Sequence, residues 1–532
     1  MEVRMDSKKG AVVNGIDPVL NEIQERLQSH PQEWLKTLQD NPGSFTELEK
    51  TVHLAFKQMA DQVVAGLLAQ ATQGDEFADA AKKKVSDIQQ QQQRKLRGGG
   101  ARPLTVRLLG GLMIYVTTLY CSPSLRTGRG RGGEGAGVYP EWALLGIQEG
   151  KSPALVREVA RQTALLPSYE AARQQLAADG VDLDIKEVHG IGQYAGQAAL
   201  VFRRRELEQY RAGKMPAGKG EGKRLGAMID GGRTKVRRTT RKQKGRGKAK
   251  KQTRRFKTEW REVKQIIVFE MDEHGRMKKN AQPILDGTFA GPDEIMEVLA
   301  LRLHQMGAAQ AEVVAFRADG APWIWDRLEW VCRRLGLTAK QVSKGLDWCH
   351  AVHHVSLTLE PMLEGAERRR VFKKLRKWLR RGSWQRVVDE LIRLGQAAGL
   401  PEDSAAWTDV WYLFRHGEQG HLDYAKFRRR GLPQGSGAIE SAIRRVINLR
   451  LKGNSIFWDE GNAEAMLVLR GLVLSGRWNA VFAQITKSLG EDRRLDWKWK
   501  SPDMPEELKA GITIAPPTPQ VQTDERCDDT AA

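Results

Sequence analysis

"LGAMIDGG", Leu225–Gly232, is an apolar run that ends in one aspartate and two glycines. Such a run, bounded by a turn signal, suits a buried strand. Its acid, Asp230, would sit at the strand's C-terminal end, where ligands bind in mixed α/β sheets. The glycine after it lets backbone or substrate approach closely. Asp-Gly is equally ordinary turn chemistry. The pattern returns in "AEVVAFRADG", where Asp319 follows an apolar run and precedes Gly320. Around these two runs, "VKQIIVFEMD" (263–272) and "KKNAQPIL" (278–285) read as strands, and 291–307 and 322–335 read as helices. "KQVSKGLDWCH" (340–350) reads as a further strand leading into a helix. Successive strands, a helix, then alternating strand and helix predict an α/β core: a mixed five-stranded sheet with helices packed on it.

On the N-terminal side, residues 17–95 show helical apolar spacing, and "QQQQQ" with the glycines 98–100 predicts a linker. "LTVRLLGGLMIYVTTLYC" (104–121) predicts a β-hairpin about Gly110-Gly111, followed by a glycine-rich loop over 126–137. From 151 the chain turns helical again. Pro167–Gly196 has helix-turn-helix cadence with its turn at Asp179-Gly180, which suits either DNA binding or a plain helical hairpin. On the C-terminal side, 359–430 is helical and basic, and 462–475 is an apolar helix. The expected regions are therefore 1–97 (helical), 101–145 (hairpin and Gly/Arg loop), 150–215 (helix-turn-helix-like), 223–354 (core, first part), 355–431 (helical insertion), 432–485 (core, second part) and 486–532 (disordered tail).

The 532-residue chain carries 86 Lys and Arg against 65 Asp and Glu, a net charge of +21, which favours a polyanion such as nucleic acid. Four cysteines, at 121, 332, 349 and 527, form no CxxC pair, which argues against a disulfide scaffold or zinc ribbon and for a reducing cytoplasm. "MEVRMDSKKG" has no apolar run, so no signal peptide is expected, and no apolar stretch approaches the ~20 residues a membrane span requires.

"GSGAIESAIRRVINLRLKGNSIFW", Gly435–Trp458, reads as a basic, half-apolar helix. Ile439, Ile443, Val446 and Ile447 form its apolar stripe, and Glu440, Arg444 and Asn448 share the next face. With Ser436 or Gly437 as cap, Glu440 falls in the first turn, where the helix dipole favours an acid. It could also pair with Arg444. The run Lys235–Arg261 holds 14 Lys and Arg and one acid, and predicts a loop that orders on a DNA backbone.

Asp230, Asp319 and Glu440 together suit phosphodiester chemistry. Two Mg²⁺ ions bridged by carboxylates activate the attacking oxygen and stabilise the leaving one. "LGAMIDGGRTKVR", "ADGAPWIWDRL" and the long stretch from Gly435 to Trp478 are similar to the catalytic core of DDE transposases of bacterial insertion sequences. The similarity is to the Kra-type family, distantly related to Mutator-like elements, and covers about 223–477. It implies an RNase H-like fold and a DNA transposase that cleaves transposon ends and joins them to target DNA. By the same resemblance Asp230, Asp319 and Glu440 are the catalytic, metal-binding triad for two Mg²⁺, with Mn²⁺ as substitute. Asp347 and His350 match an Asp-x-x-His of such enzymes, with His354 one turn on, as active-site support. The basic residues expected on DNA are Arg237, Arg238, Arg241, Lys242, Lys244, Arg246, Arg254, Arg255, Arg444, Arg450 and Lys452, with Asn448 beside them. The implied protein is a nucleoid-associated homodimer or higher oligomer on DNA, with no membrane partner. Relatives carry paired cysteines after the hairpin; here only Cys121 remains, and no zinc is expected. A nuclease of the same fold that cuts without joining, and a transposase-derived DNA-binding protein without catalysis, remain open alternatives.

Overall fold

The computed structural model describes residues 2–5, 15–91, 95–123, 137–239, 256–453 and 456–487. The N-terminal part contains strand β1 (Glu2–Met5), helices α1 (Asp17–Asp40), α2 (Phe45–Ala71) and α3 (Asp75–Gln91), and strands β2 (Leu96–Arg107) and β3 (Met113–Pro123). The strands form an antiparallel sheet in the order β1-β3-β2. β2 and β3 are the expected hairpin. Its turn is held by the Asp61 carboxylate of α2, which accepts the Gly110 and Leu112 amides, each at 3.0 Å. The expected linker is different: the helix runs to Gln91, and the three glycines lie inside β2, where the register shifts between Gly98 and Ala101. Glycine here makes an irregular strand rather than a break.

Next come α4 (Pro140–Leu145), α5 (Pro153–Leu165), α6 (Tyr169–Ala178) and α7 (Ile185–Arg211). A capping box starts α7, with Asp184 taking the Glu187 amide and Glu187 returning to the Asp184 amide. The helix-turn-helix cadence is present as α6, a turn and α7. It does not form an appended module. α7 is 27 residues long, and its stripe of Val188, Ile191, Ala195 and Ala199 belongs to the same core as the large sheet.

That sheet contains β4 (Arg224–Thr239), β5 (Phe256–Glu270), β6 (Ile284–Thr288), β7 (Val313–Ala318) and β8 (Val342–Leu346) in the order β6-β5-β4-β7-β8. Helices α8 (Pro292–Gln305) and α9 (Pro322–Arg334) fall between its later strands. β5 is antiparallel to β4 and β6, whereas β4, β7 and β8 run parallel. The sheet is mixed, as expected, and has a sixth strand. β4 and β5 extend well past the apolar runs as a two-stranded arm into the basic segment, because Thr234 and Val236 continue the buried alternation.

α10 (Trp348–Leu359) follows β8, so the expected boundary at 354/355 falls inside a helix. The insertion is α11 (Gly365–Arg380), α12 (Trp384–Ala397), α13 (Ala405–Glu418) and α14 (Tyr424–Arg429). The chain then returns through α15 (Gly437–Ile443), a π-helical turn (Arg444–Asn448) and α16 (Leu449–Leu451). The two-residue β9 (Trp458–Asp459) pairs with the arm of β4 at Val236 and Arg237, and α17 (Glu460–Leu474) and α18 (Trp478–Lys487) follow.

A buried charge network fixes α7 and α17 to the sheet. Arg203 of α7 reaches Asp286 of β6 at 2.9 Å and Glu464 of α17 at 2.6 Å. Arg302 of α8 reaches Asp286 and Glu206, each at 2.7 Å. Burial alone would raise the Asp286 carboxyl; the two guanidiniums bring it below its ordinary range. Among the described residues, no helix is long and apolar enough to cross a membrane. Residues 488–532, and with them nearly all of the expected tail, lie outside the described residues.

Candidate active site and nucleic-acid interface

Parallel pairing brings two of the expected acids together. Ile229 of β4 sits opposite Ala318 of β7, so Asp230 and Asp319 follow side by side where the parallel pairing stops. β7 ends there, but β4 continues to Thr239, so Asp230 lies inside its strand and not at the expected strand end, because Thr234 and Val236 carry the buried alternation onward. Ala318 in turn sits opposite Leu346, which puts Asp347 at the end of the third parallel strand. The Gly231 amide donates to Asp230 Oδ1 at 2.6 Å, and the Ala321 amide to Asp319 Oδ1 at 3.1 Å. Each carboxylate thus accepts a backbone amide just after it, Asp230 within β4 and Asp319 in the turn that leads to α9.

Glu440 arrives from 121 residues beyond Asp319, carried by α15. That helix lies on the face of β4 that bears Asp230: a side chain at Gly232 would run into Ile447 and Ile443. The loop before α15 is fastened to the strand ends. Asp347 accepts the Ser436 amide on one oxygen and the His350 amide on the other, the Trp348 amide donates to Gln434 O, and Arg317 of β7 donates to Pro433 O. Asp347 is therefore a joint between β8, α10 and the Glu440 helix, and N-caps α10. Ser436 is the N-cap of α15 without a side-chain bond, so the expected serine cap is absent. Ile439, Val446 and Ile447 are buried as the stripe predicted, and Glu440, Arg444 and Asn448 are exposed. Among the described residues Glu440 makes no ion pair, so the alternative pairing with Arg444 is not formed. The π turn after it has an identifiable support: Arg470 of α17 donates to the Arg445 carbonyl at 2.7 Å.

The electrostatics are those of acids that are buried first of all and near other acids second. Burial, then the charge of Asp319, pushes the Asp230 carboxyl up to about 6; Glu440 adds to the rise, and the Gly231 amide and His350 oppose it. Burial also raises Asp319, with Glu262 and Asp347 contributing, while the Ala321 amide and His350 oppose. Among the described residues neither Asp230 nor Asp319 has a Lys or Arg partner. An all-oxygen set of this kind suits Mg²⁺, a hard cation, rather than zinc. Among the described residues, no three His, Cys, Asp or Glu side chains are gathered as a ready ligand set.

Of the expected supporting residues, His350 stands close enough to act on both aspartates. His354 instead faces the insertion, with its Nδ1 2.7 Å from Asp409 of α13 and its ring 3.9 Å from that of Tyr412. Tyr412 was not foreseen from sequence. Its hydroxyl is buried without a partner among the described residues and occupies the space left by Gly320, where a Cβ would come within 1.7 Å of it. Burial first, then Asp319, Asp347 and Asp409, raises its phenol. Glu262 of β5 was likewise not foreseen; no motif marks either residue.

The expected DNA-facing residues separate into groups. Arg241, Lys242, Lys244, Arg246, Arg254 and Arg255 lie outside the described residues. Arg237 is exposed on the arm, and Lys452 is exposed after α16. Arg238 is already paired, with Glu259 at 2.7 Å and Glu460 at 3.8 Å. Arg450 is a correction. It is buried between the rings of Tyr169 and Trp458 and donates to Thr163 O at 3.0 Å, so it braces α5 against α16 instead of facing DNA. α11 supplies cations that were not singled out: Gly365–Arg381 has nine Lys and Arg against one acid. Burial first, then Asp347 and Glu440, raises the Cys349 thiol, and Arg376 of this helix opposes the rise.

No family model, no curated protein and no solved structure matches this chain. The case for its function rests on the site's own chemistry.

Proposed function

We propose that the chain is a DNA transposase with an RNase H-like core. It would use bound Mg²⁺ to cleave transposon ends and join them to target DNA. The observation that carries this reading is the juxtaposition of Asp230 and Asp319 where the parallel pairing of β4 and β7 stops, without a cationic partner among the described residues, under the helix that bears Glu440. Three antiparallel strands followed by two parallel ones, in the order β6-β5-β4-β7-β8, support the RNase H-like assignment. So does the arrival of the third acid on a late helix.

Asp230, Asp319 and Glu440 would hold the metal, which supplies Lewis-acid activation of water or a 3′-hydroxyl and charge stabilisation at the phosphodiester. The chain's own residues do the positioning. Gly231 and Ala321 amides aim the aspartates; Asp347 and Arg317 anchor the loop that delivers Glu440. Exposed Arg237, Arg444 and Lys452, with the outer face of α11, would receive the backbone of the DNA. Joining two ends implies at least two copies on DNA.

The test incubates wild type and Glu440→Gln with labelled DNA carrying the sequences that flank the coding region, with Mg²⁺ or Mn²⁺. Expected is metal-dependent 3′-end cleavage and joined product in wild type, reduced on the order of 10³-fold or more in a variant that still binds DNA. Equal cleavage in both removes Glu440 from the site. Cleavage without joined product leaves a nuclease, and metal-independent binding alone leaves a DNA-binding protein.

A further inference from the structure

The arm made by β4 and β5 has two unlike faces. Residues directly opposite in an antiparallel ladder point the same way. The pairs Arg233–Glu262, Lys235–Trp260 and Arg237–Thr258 therefore share one face, with Phe256 next along it. The other face is closed: Val236 is buried and pairs with Trp458, and Thr234 donates its hydroxyl to Leu451 O at 2.7 Å. On the open face, Trp260 is 54% exposed and Phe256 46%. Cations flank these rings. Lys235 Nζ lies 5.0 Å over Trp260, and the Arg237 guanidinium 4.0 Å over Phe256. From beside β4, Lys452 Nζ lies 5.9 Å over Trp260, and Phe457, 36% exposed, sits 5.6 Å from Arg237. Contact with duplex phosphates requires only the cations. Large rings left in water on a basic arm require another partner, and bases present π-faces that any aromatic ring can stack on.

We infer that this face is a stacking platform for unpaired nucleotides. Bases of a locally opened DNA strand would lie on Trp260 and Phe256, while Lys235, Arg237 and Lys452 meet its phosphates. The inference rests on the reading of the chain as DNA-binding and adds that the strand is open where the arm holds it. At about 3.4 Å per residue, the platform runs roughly 20 Å along β5 from Phe256 to Glu262. The platform residues Arg233, Lys235 and Arg237 alternate along β4 with Asp230, Gly232, Thr234 and Val236, so the platform lies on the side of the strand opposite to the one that bears Asp230.

The test measures binding of the full chain to a labelled duplex and to the same duplex with a short mismatched bubble containing 2-aminopurine. Wild type is expected to bind the bubble roughly tenfold more tightly and to quench the probe. Trp260→Ala combined with Phe256→Ala is expected to bring the ratio near one and leave the probe bright, whereas Trp260→Tyr keeps the quenching. Trp260→Leu, apolar but unable to stack, gives the same comparison should the double variant fail to fold. A folded double variant with the wild-type ratio overturns the inference and leaves DNA binding intact. A wild-type chain that binds neither DNA overturns both.

Discussion

At the scale of single residues, Asp230 bears the largest electrostatic cost at the site. Its folded pKa of about 6 lies above the ordinary 3.8, so without metal the fold gains from the protonated acid at low pH and loses that gain as pH rises through 6. The cost above pH 6 is at most about 3 kcal/mol. Asp230→Asn in chelator is therefore expected to melt several degrees higher than wild type at pH 7.5, with the difference vanishing near pH 4, and to lose cleavage. Calorimetry across that range checks it; an unchanged Tm at pH 7.5 would mean the two aspartates do not strain each other. Asp230 and Asp319 were legible in the sequence because an apolar run, an acid and a glycine are all local signals. Tyr412 was not legible. Its role depends on the absence of a Cβ at Gly320, 92 residues earlier, and nothing near either residue announces the meeting.

At the scale of elements, the loop before α15 decides where Glu440 stands. Asp347→Ala would leave the Ser436 and His350 amides without their acceptor, at roughly 1–3 kcal/mol for each amide that stays buried. Stability is expected to fall by about that much, and cleavage more steeply than DNA affinity. Urea titration beside binding and cleavage assays separates these effects; cleavage equal to wild type would show that Asp347 does not place Glu440. The basic arm makes a separate prediction. Removing Lys242–Lys251, which carries six cations, is expected to flatten the salt dependence of DNA binding by up to about five in slope. An unchanged slope would sink its phosphate role. The strand starts and the apolar stripe of Gly435–Trp458 were legible from periodicity. The length of the arm was not, because its charged outer face hides a buried alternation carried by only Thr234 and Val236.

At the scale of the whole molecule, the sheet, α7, α17 and the insertion share one core, with the insertion as the layer packed against the acid site. His416 and His421 lie in that layer, with ring nitrogens 3.0 Å apart and Trp325 stacked 4.1 Å from His421. Burial depresses them to about 4 and about 3, against an ordinary 6.5. The unfolded chain binds these protons first, so stability is complete above pH 6.5 and is lost as pH falls toward 4. Denaturation midpoints are expected to drop over that window, and His416→Gln with His421→Gln to flatten the drop; a parallel decline in both proteins would place the acid sensitivity elsewhere. Helix-turn-helix cadence left DNA binding and a plain helical hairpin open at this scale because it describes a turn between two helices and says nothing about which face is buried. The Arg203–Asp286–Arg302 network settles that question, and its members span nearly 100 residues, beyond any local pattern.

The late position of Glu440 has a consequence in time as well as in space. It leaves the ribosome 121 residues after Asp319, which at ordinary rates of synthesis is about 6 to 24 seconds. During that interval the nascent sheet holds both aspartates and the basic arm but lacks the third acid. On the proposed function, a chain released early, by a stop codon or a frameshift within the insertion, would grip DNA without the means to cut it. Every such fragment would then be an antagonist of the full-length protein, and expressing one beside wild type should suppress cleavage in proportion to its share.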